Sequence, residues 1–325
     1  MARNSFFGAF AIVASFAMAC SAQNDEVISG NGDVPAGETP APTEPPPPAP
    51  NAPPPATGET PKPPDLDLPD PNTPPPGPKE RTILAIDEAG ALVSFLAKDP
   101  SKVTTKAITG LQQGESILGI DVRPSNGMLY ALGSKSRIYT IDRATGAATA
   151  VGNELTPSLQ GQSFGFDFNP VADAIRIHSD YNQNLRVSPM TGAVVMEDKA
   201  LTFAENDPNF LQDPNVVATA YTNSVSPKPA ATDLYGIDST RDLLVKVAPP
   251  NDGKVSTIGS LGVDVVAVAG FDIYGTGEAA DAYAALHVDG AKMPALFAID
   301  LTKGTATKVA DIGHDKAIQG IAIEP

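Results

Sequence analysis

Apolar and polar residues alternate with a period of two between Gly119 and Gly152, and short turns interrupt the pattern at regular intervals. The segments IDV, LYAL, RIYTID and AATAVG have the pattern of four short strands, and the turns around them contain Asn-Gly and Thr-Gly. These dipeptides accept the positive φ angles of tight turns. The stretch therefore predicts a four-stranded antiparallel meander, which is too small to bury both of its faces without neighbours.

The same pattern returns three more times along the chain. Further copies start at Gly165, Thr219 and Gly270, so successive starts are roughly 46 to 54 residues apart, close to the period of propeller blades. The first two copies also place Gly, Asp and Pro in the same register. The repeat predicts four complete blades between Gly119 and the C-terminal region.

The two ends of the patterned region complete a fifth blade. TILAID (from Thr82), ALVSFLA and KVTTKAIT are typical of a second, third and fourth strand, and the C-terminal IQGIAIEP is typical of a first strand. Pairing these ends would close the ring and remove its exposed sheet edges. The predicted fold class is all-β: a propeller of five four-stranded blades, closed by pairing of the N- and C-terminal strands.

The first 79 residues follow a different pattern. Residues 1–19 combine Arg3 with an apolar run that ends in Ala17-Met18-Ala19, directly before Cys20. This arrangement resembles a bacterial lipoprotein signal peptide, with Cys20 lipidated and Ser21 favouring the outer membrane. Cleavage by ordinary signal peptidase, followed by secretion, and an uncleaved anchor are the alternatives. The predicted anchor therefore places the protein in the cell envelope.

Residues 20–79 predict a disordered spacer between this anchor and the globular domain, 80–325. They contain 20 of the 33 prolines and favour extended polyproline II. In residues 80–325, 29 acidic side chains against 19 Lys and Arg give a charge of −10, which argues against nucleic acid and anionic lipid surfaces as partners. Because Cys20 is the only cysteine, the chain has no disulfide framework and no Cys-based metal site.

A ring of acidic residues is predicted where the first strands line the central channel. Alternation along these strands places Asp121, Asp167, Tyr221, Asp272 and Ala322 at equivalent positions. Three carboxylates would then converge and raise one another's pKa unless a cation or hydrogen-bond donors relieve them. Ca²⁺ is a candidate ligand, and hydrogen bonding of each Asp to nearby backbone of its own blade is the alternative.

A second candidate site combines a polar turn with the insertion between the second and third blades, 201–221. Both connections should lie at the same end of the disc, and their polar side chains exceed what a turn needs for its own backbone. A structural cap or a Ca²⁺ loop would look the same. The predicted ligand-binding side chains are His178, Asp180, Asn182, Asn184, Arg186, Asp207 and Asn209.

Several segments of the domain together resemble the domain-of-unknown-function 4394 family of bacterial exported proteins. The segments are IRIHSDYNQNLRVSPMTGAVV, ALTFAENDPN, VATAYTNS, APPNDGKVSTIGSLGVD and GFDIY, and the resemblance extends over roughly 82 to 323. In the family, a stretch similar to Val-Ser-Asp-Thr-Gly usually stands where this chain has 178–182. The resemblance implies no established activity, so no catalytic residue is assigned from it.

Two functions follow as expectations. The first is a non-enzymatic envelope lipoprotein that displays a binding module to an unknown protein or polar ligand. The second is a propeller-type hydrolase or lactonase that uses the channel carboxylates, with or without Ca²⁺. Three or more carboxylates or histidines around one open pocket would favour the enzyme, whereas a plugged or apolar channel would favour the binding module.

Overall fold

The computed structural model describes residues 80–277 and 280–325. The predicted signal peptide, the spacer and Cys20 lie outside these residues. The regular secondary structure of the described residues is mostly β-strand, with a short 3₁₀ turn at Pro250–Asp252. Among the described residues there is no helix of the length and apolar character needed to cross a membrane.

Five antiparallel sheets form the blades of a propeller, which confirms the predicted fold class. In chain order the strands are β1 (Thr82–Asp87), β2 (Ala91–Leu96), β3 (Asp99–Ala107), β4 (Ile117–Val122), β5 (Leu129–Gly133), β6 (Arg137–Ile141), β7 (Ala148–Val151), β8 (Phe164–Asn169), β9 (Ala174–Ser179), β10 (Asn184–Val187), β11 (Val194–Glu197), β12 (Thr202–Phe203), β13 (Val216–Tyr221), β14 (Leu234–Asp238), β15 (Leu243–Val247), β16 (Lys254–Ser260), β17 (Val265–Tyr274), β18 (Asp281–Val288), β19 (Ala295–Ile299), β20 (Ala306–Asp311) and β21 (Ile318–Ile323). Blade 1 contains β4–β7, blade 2 β8–β11, blade 3 β13–β16 and blade 4 β17–β20, while blade 5 joins β21 to β1–β3.

The two ends of the domain close the ring as the sequence predicts. β21 pairs antiparallel with β1, in a register that sets Ile83 opposite Ile323 and Ala85 opposite Ile321. Backbone hydrogen bonding continues past the strand, because Glu324 N donates to Thr82 O at 2.9 Å. The C-terminal strand is therefore the innermost strand of blade 5.

Apolar side chains pack between neighbouring blades, as the alternation along the strands requires. Leu84 and Ile86 of blade 5 share one buried cluster with Ile120 and Val122 of blade 1. In the cluster between blades 1 and 2, the rings of Tyr130 and Phe168 meet edge to face, with their centroids 5.1 Å apart. Each blade thus buries its faces against its neighbours, because a single meander could not bury both alone.

The innermost strands approach one another so closely that small residues are required at the centre. A Cβ atom added to Gly165 would lie 2.5 Å from the Cβ of Thr219, and one on Gly270 would lie 2.7 Å from Ile321 N. The cavity at this level has a volume of about 10 Å³, which is room for about one water molecule. The channel is therefore closed at the level of these glycines.

The insertion after blade 2, 201–221, contributes a strand to the neighbouring blade, which was not predicted from the sequence. It begins with β12, which pairs parallel with β16 and adds a fifth strand to the outer edge of blade 3. The Phe203 side chain is buried there, and the Arg241 guanidinium lies 5.4 Å from its ring centroid. The first part of the insertion therefore covers a sheet edge.

The alignment of Tyr221 with the acidic ring position is wrong by one residue. Tyr130 pairs with Asp121 and Tyr283 pairs with Asp272, whereas the corresponding partner in blade 3, Tyr235, pairs with Ala220. Successive side chains of a strand point to opposite faces, so a shift of one residue reverses the orientation. Ala220 therefore takes the ring position of blade 3.

Candidate functional site

The three predicted aspartates meet at the centre of the ring. Asp121, Asp167 and Asp272 occupy equivalent positions on the first strands of blades 1, 2 and 4, and a carboxylate oxygen from each lies within 4.8 Å of the others. All three side chains are at most 5% exposed. Blades 3 and 5 carry Ala220 and Ala322 at this level, so three carboxylates share a space surrounded by five strands.

Backbone amides of the first strands donate to these carboxylates across blade boundaries. Asp121 Oδ2 accepts from Phe168 N of blade 2 at 2.7 Å, Asp167 Oδ1 from Tyr221 N of blade 3 at 2.9 Å, and Asp272 Oδ2 from Ile323 N of blade 5 at 2.5 Å. Each aspartate thus links its blade to the next. The alternative considered from the sequence, in which each Asp binds only its own blade, describes part of this arrangement.

Asp121 and Asp272 each accept a second amide from their own strand. Asp121 Oδ1 accepts from Val122 N, and Asp272 Oδ1 accepts from Ile273 N, both at 2.6 Å. The preceding blades, 5 and 3, have alanine at the ring position, so they offer no carboxylate that could accept from Val122 N or Ile273 N. Five amides, one from each first strand, are therefore satisfied by five of the six carboxylate oxygens.

Burial and mutual repulsion outweigh these hydrogen bonds. Burial, followed by the Asp272 charge, raises the pKa of Asp121 well above its usual range, and burial with both neighbouring charges does the same for the pKa of Asp167. Burial raises the pKa of Asp272 to about 6, against the opposing effect of its two amide donors. In the described part of the chain, no Lys, Arg or His forms an ion pair with any of the three. The folded structure therefore favours the protonated form of these carboxyls.

A pocket of about 120 Å³ opens onto the cluster from the side of the disc where the first strands end, which we call the C-terminal face. Asp121 and Asp272 line it, and Tyr274 is a further polar wall residue. The Arg81 guanidinium lies 4.4 Å from the Tyr274 ring centroid and pairs with Asp281 at 3.1 Å. The remaining lining residues are Val122, Pro124, Ser224, Val225, Ser226, Ile323 and Pro325. Two carboxylates are thus reachable from outside, and the glycine level closes the other end.

The predicted turn residues His178 and Asn184 are buried rather than exposed. His178 Nδ1 lies 3.0 Å from Thr219 Oγ1, and burial, followed by the Arg176 charge, lowers the pKa of His178 to about 3. The imidazole is therefore neutral at physiological pH. Asn184 Nδ2 donates to the carbonyls of Lys199 and Pro250, at 2.9 Å each, so it links blade 2 to a loop of blade 3.

Arg176, which is not among the site residues predicted from the sequence, is the centre of the buried polar network in blade 2. Arg176 is 2% exposed, and its guanidinium donates to Asp198 Oδ2 at 2.6 Å, to Asn251 Oδ1 at 2.8 Å and to the Tyr221 hydroxyl at 3.2 Å. Arg186 also binds Asp198, at 2.7 Å. Arg176 and Arg186 are opposite each other on neighbouring strands. Two like charges at such positions need a common acidic partner, and this pairing could have indicated from the sequence that a residue such as Asp198 lies between them.

Asp180 and Asn182 lie where the polar turn meets the insertion. Asp180 Oδ1 accepts from Gln162 N at 2.8 Å, and Asn182 Nδ2 donates to Asp213 Oδ1 at 2.6 Å. The backbone confirms the contact, because Leu201 N donates to Asn182 O at 3.1 Å. The structure therefore brings the turn and the insertion together.

Asp207 and Asn209 fasten the insertion to blade 3. Asp207 Oδ2 accepts from Thr257 N at 2.5 Å, and Asn209 Nδ2 donates to Thr257 Oγ1 at 3.0 Å. The seven predicted binding side chains thus have internal partners that position the loops. Binding of a ligand by these side chains stays a prediction.

Solved structures resemble the fold at low sequence identity. A protein of unknown function from Bacteroides thetaiotaomicron VPI-5482 matches with a TM-score of 0.45 and 18% identity, covering 74% of this chain and 58% of that chain. An auxiliary nutrient binding protein from Bacteroides ovatus ATCC 8483 matches with a TM-score of 0.36 and 14% identity over 74% and 58%. The dihydro-heme d1 dehydrogenase NirN matches with a TM-score of 0.35 and 14% identity over 70% and 44%. This chain therefore spans less than two thirds of each of these chains.

The family resemblance is confirmed over most of the domain. No match to a curated protein was found. The family model described as domain of unknown function (DUF4394) matches residues 91–322, which is more than half of the 325 residues and includes all three channel aspartates. The chain therefore belongs to the DUF4394 family.

Proposed function

We propose that this protein is a non-catalytic binding module of the cell envelope, and that its central pocket takes a cation at Asp121, Asp167 and Asp272. The observation that carries the proposal is the group of three buried carboxylates within 4.8 Å of one another, two of which, Asp121 and Asp272, line a pocket of about 120 Å³. Buried charges in proteins are normally paired or coordinate metals. The raised pKa values of the three aspartates support a need for such a partner.

The chemistry of the pocket fits a cation that prefers oxygen ligands. Each carboxylate oxygen has two lone pairs, so accepting one amide leaves another lone pair for a ligand. Ser224, Ser226 and Tyr274, whose side chains carry hydroxyl groups, line the same pocket. Ca²⁺ binds carboxylates, carbonyls and other oxygen ligands in flexible geometry, whereas an organic ammonium ion would use the carboxylates and the apolar wall.

Cation binding is expected to stabilise the fold at neutral pH. After dialysis against a chelator, adding Ca²⁺ at 100 times its Kd should stabilise the purified protein by about 2.7 kcal/mol, a rise in Tm of roughly 5–10 °C for a domain of this size. The rise should be smaller at pH 5, where protons compete for the carboxylates. Differential scanning calorimetry at both pH values, with Mg²⁺ and n-butylammonium in parallel, measures this.

Asp264→Asn is the matched control for the cation experiment, because it removes one negative charge from an exposed side chain and should leave the Ca²⁺ effect unchanged. The proposal predicts that Asp167→Asn weakens the effect. If the Tm responds to none of the three cations at pH 7.5, the proposal is wrong, and the three aspartates serve only to link the blades by hydrogen bonds.

The proposed place of the module is the outer membrane, through a lipid on Cys20 and the Pro-rich spacer. Cys20→Ser should release the protein from membranes, since the acyl chains contribute about 0.8 kcal/mol per buried CH₂ group. Fractionation of wild-type and Cys20→Ser cells, followed by immunoblotting, measures the distribution. A wild-type protein found in the soluble fraction with a free thiol would support secretion instead.

A propeller hydrolase or lactonase is the second candidate, and one observation favours it. A carboxyl with a pKa of about 6, such as Asp272, is close to the value that suits a general acid or base at neutral pH. However, both oxygens of Asp272 are held by backbone amides, and only Asp121 and Asp272 of the cluster line the pocket. These contacts favour the binding module.

A further inference from the structure

Large apolar side chains are exposed on the side of the disc where the first strands begin, the N-terminal face. Leu211 is 84% exposed, Tyr181 71% and Phe210 41%. Leu211 and Tyr181 are two of the three most exposed large apolar side chains among the described residues. Scattered exposed apolar residues are ordinary, whereas a group of them with polar surroundings is typical of an interaction site.

These three side chains belong to the two connections that meet at Asn182 and Asp213. Tyr181 precedes Asn182, while Phe210 and Leu211 precede Asp213, and the 2.6 Å hydrogen bond between Asn182 and Asp213 joins the connections. β8 begins opposite the end of β9, and β13 begins where the insertion ends. The group, which we call the loop surface, therefore lies on the face opposite the central pocket lined by Asp121 and Asp272.

The backbone at Leu211 is held in an unfavourable conformation. Its φ angle is +70°, a region that bulky residues rarely occupy and that glycine adopts freely. Such strain persists where the surroundings impose it, and it concentrates at functional sites. Because Leu211 has an unfavourable φ angle and an exposed side chain, that side chain contributes little to the stability of the fold.

Polar contacts on either side hold the loop surface in place. Gln212 N donates to Asn209 O at 2.8 Å, and Arg241 Nη1 donates to Asp213 O at 3.0 Å. Together with the Asp207–Thr257 contacts, these bonds fix the insertion on blade 3. Tyr181 N donates to Ser179 Oγ at 3.1 Å, so the turn is fixed as well. A surface that is rigid before binding loses less conformational entropy when a partner docks.

The two connections that form the loop surface carry charged side chains of one sign, and Arg241 of blade 3 contacts them through the Asp213 carbonyl. Residues 178–184 and 201–215 contain Asp180, Glu205, Asp207 and Asp213 but no Lys or Arg. We propose that the loop surface docks a segment of a partner protein that presents apolar side chains together with basic ones. Complementary charge steers such a partner and disfavours acidic ones. A second copy of this domain, with its charge of −10 and the same acidic rim, would be repelled.

Two substitutions test the proposal without threatening the fold. Leu211→Gly removes the apolar side chain and also relieves the positive φ, so its Tm should equal or exceed that of the wild type. Tyr181→Ser removes an exposed ring. Met190→Ser is the matched control, because Met190 is 72% exposed but lies in the turn between β10 and β11, on the C-terminal face.

The probes are three fluorescent twelve-residue peptides: one of Lys and Leu, one with Glu in place of Lys, and one with Ser in place of Leu. Using the full-length mature chain in detergent, fluorescence anisotropy should show that the Lys/Leu peptide binds at least tenfold more tightly than either of the others. Leu211→Gly and Tyr181→Ser should each weaken that binding at least tenfold, and Met190→Ser should not. Hydrogen exchange should show new protection at 180–183 and 205–213.

Three results would overturn the proposal. The first is equal binding of the Lys/Leu and Glu/Leu peptides. The second is Lys/Leu binding that Leu211→Gly leaves unchanged, which would mean nonspecific attraction to an acidic protein. The third is a concentration-dependent dimer in sedimentation that Leu211→Gly abolishes, which would identify a second copy as the occupant. None of these results depends on the cation pocket, so the two proposals can fail separately.

Discussion

A chain that ends at residue 316 is expected not to fold into a stable propeller. The deletion removes β21, the innermost strand of blade 5, and with it Ile318, Ile321 and Ile323, each at most 2% exposed. Burial of each isoleucine contributes about 1.5–3 kcal/mol, so the three account for roughly 5–9 kcal/mol of a total stability that is usually about 5–15 kcal/mol. Circular dichroism melting of the truncated and complete chains measures the loss.

The deletion also breaks contacts outside blade 5. Ile323 N is the donor to Asp272 Oδ2, so its removal leaves a buried carboxylate oxygen without its amide, and β1 loses its pairing partner. Removing Pro325 alone is the control, since this residue follows the last strand. A truncated chain with the melting temperature of the complete one would show that the ring does not depend on this strand.

Ring closure could be predicted because its signals are local. Period-two alternation, turn dipeptides and the missing first strand before Thr82 all refer to one blade at a time, and the β21–β1 pairing follows from them. The convergence of Asp121, Asp167 and Asp272 was predictable for the same reason, since equal register on equivalent strands places side chains at one level. The pattern of apolar and polar residues does not give the distance between neighbouring blades. The hydrogen bonds from each aspartate to the backbone of the next blade were therefore not predicted.

The polar residues of blade 2 were harder to interpret because β9 is buried on both faces. In Ala174–Ser179 every residue after the first is buried, so polar side chains do not indicate a solvent face there. Arg176 and His178 alternate along this strand and point towards blade 3, where they meet Tyr221 and Thr219. From the sequence alone, His178 belonged to a polar turn, which explains why its burial was missed.

The second large effect on stability is expected from the negative charge of the channel cluster, which consists of Asp121, Asp167 and Asp272. A carboxyl whose pKa is raised in the folded state binds more protons when folded than when unfolded, between its usual pKa and its raised one. Stability should therefore fall as pH rises from about 4, and for Asp272 the loss should be complete above its pKa of about 6. A shift of this size corresponds to about 3 kcal/mol. Removing one charge should recover part of this loss at pH 8.

Asp167 is the carboxylate that can lose its charge at the lowest cost. Among the described residues it accepts one backbone amide, from Tyr221, so an asparagine there can keep that bond and turn its NH₂ group towards Asp121 or Asp272. Asp167→Asn should raise the stability at pH 8 by about 1–2 kcal/mol, a gain of roughly 2–8 °C in Tm. It should also flatten the dependence of stability on pH between 4 and 7.

Asp272→Asn is the matched comparison, because it removes the same charge from a side chain that accepts two amides. An asparagine has one acceptor oxygen, so its NH₂ group would face an amide donor, and leaving a buried polar group unsatisfied costs about 1–3 kcal/mol. We expect Asp272→Asn to be less stable than Asp167→Asn at pH 8, despite equal charge. Urea unfolding of both variants at pH 4, 6 and 8 measures the difference. If Asp272→Asn is the more stable of the two at pH 8, the amides do not fix these carboxylates, and the channel cluster is not held in the way that its contacts indicate.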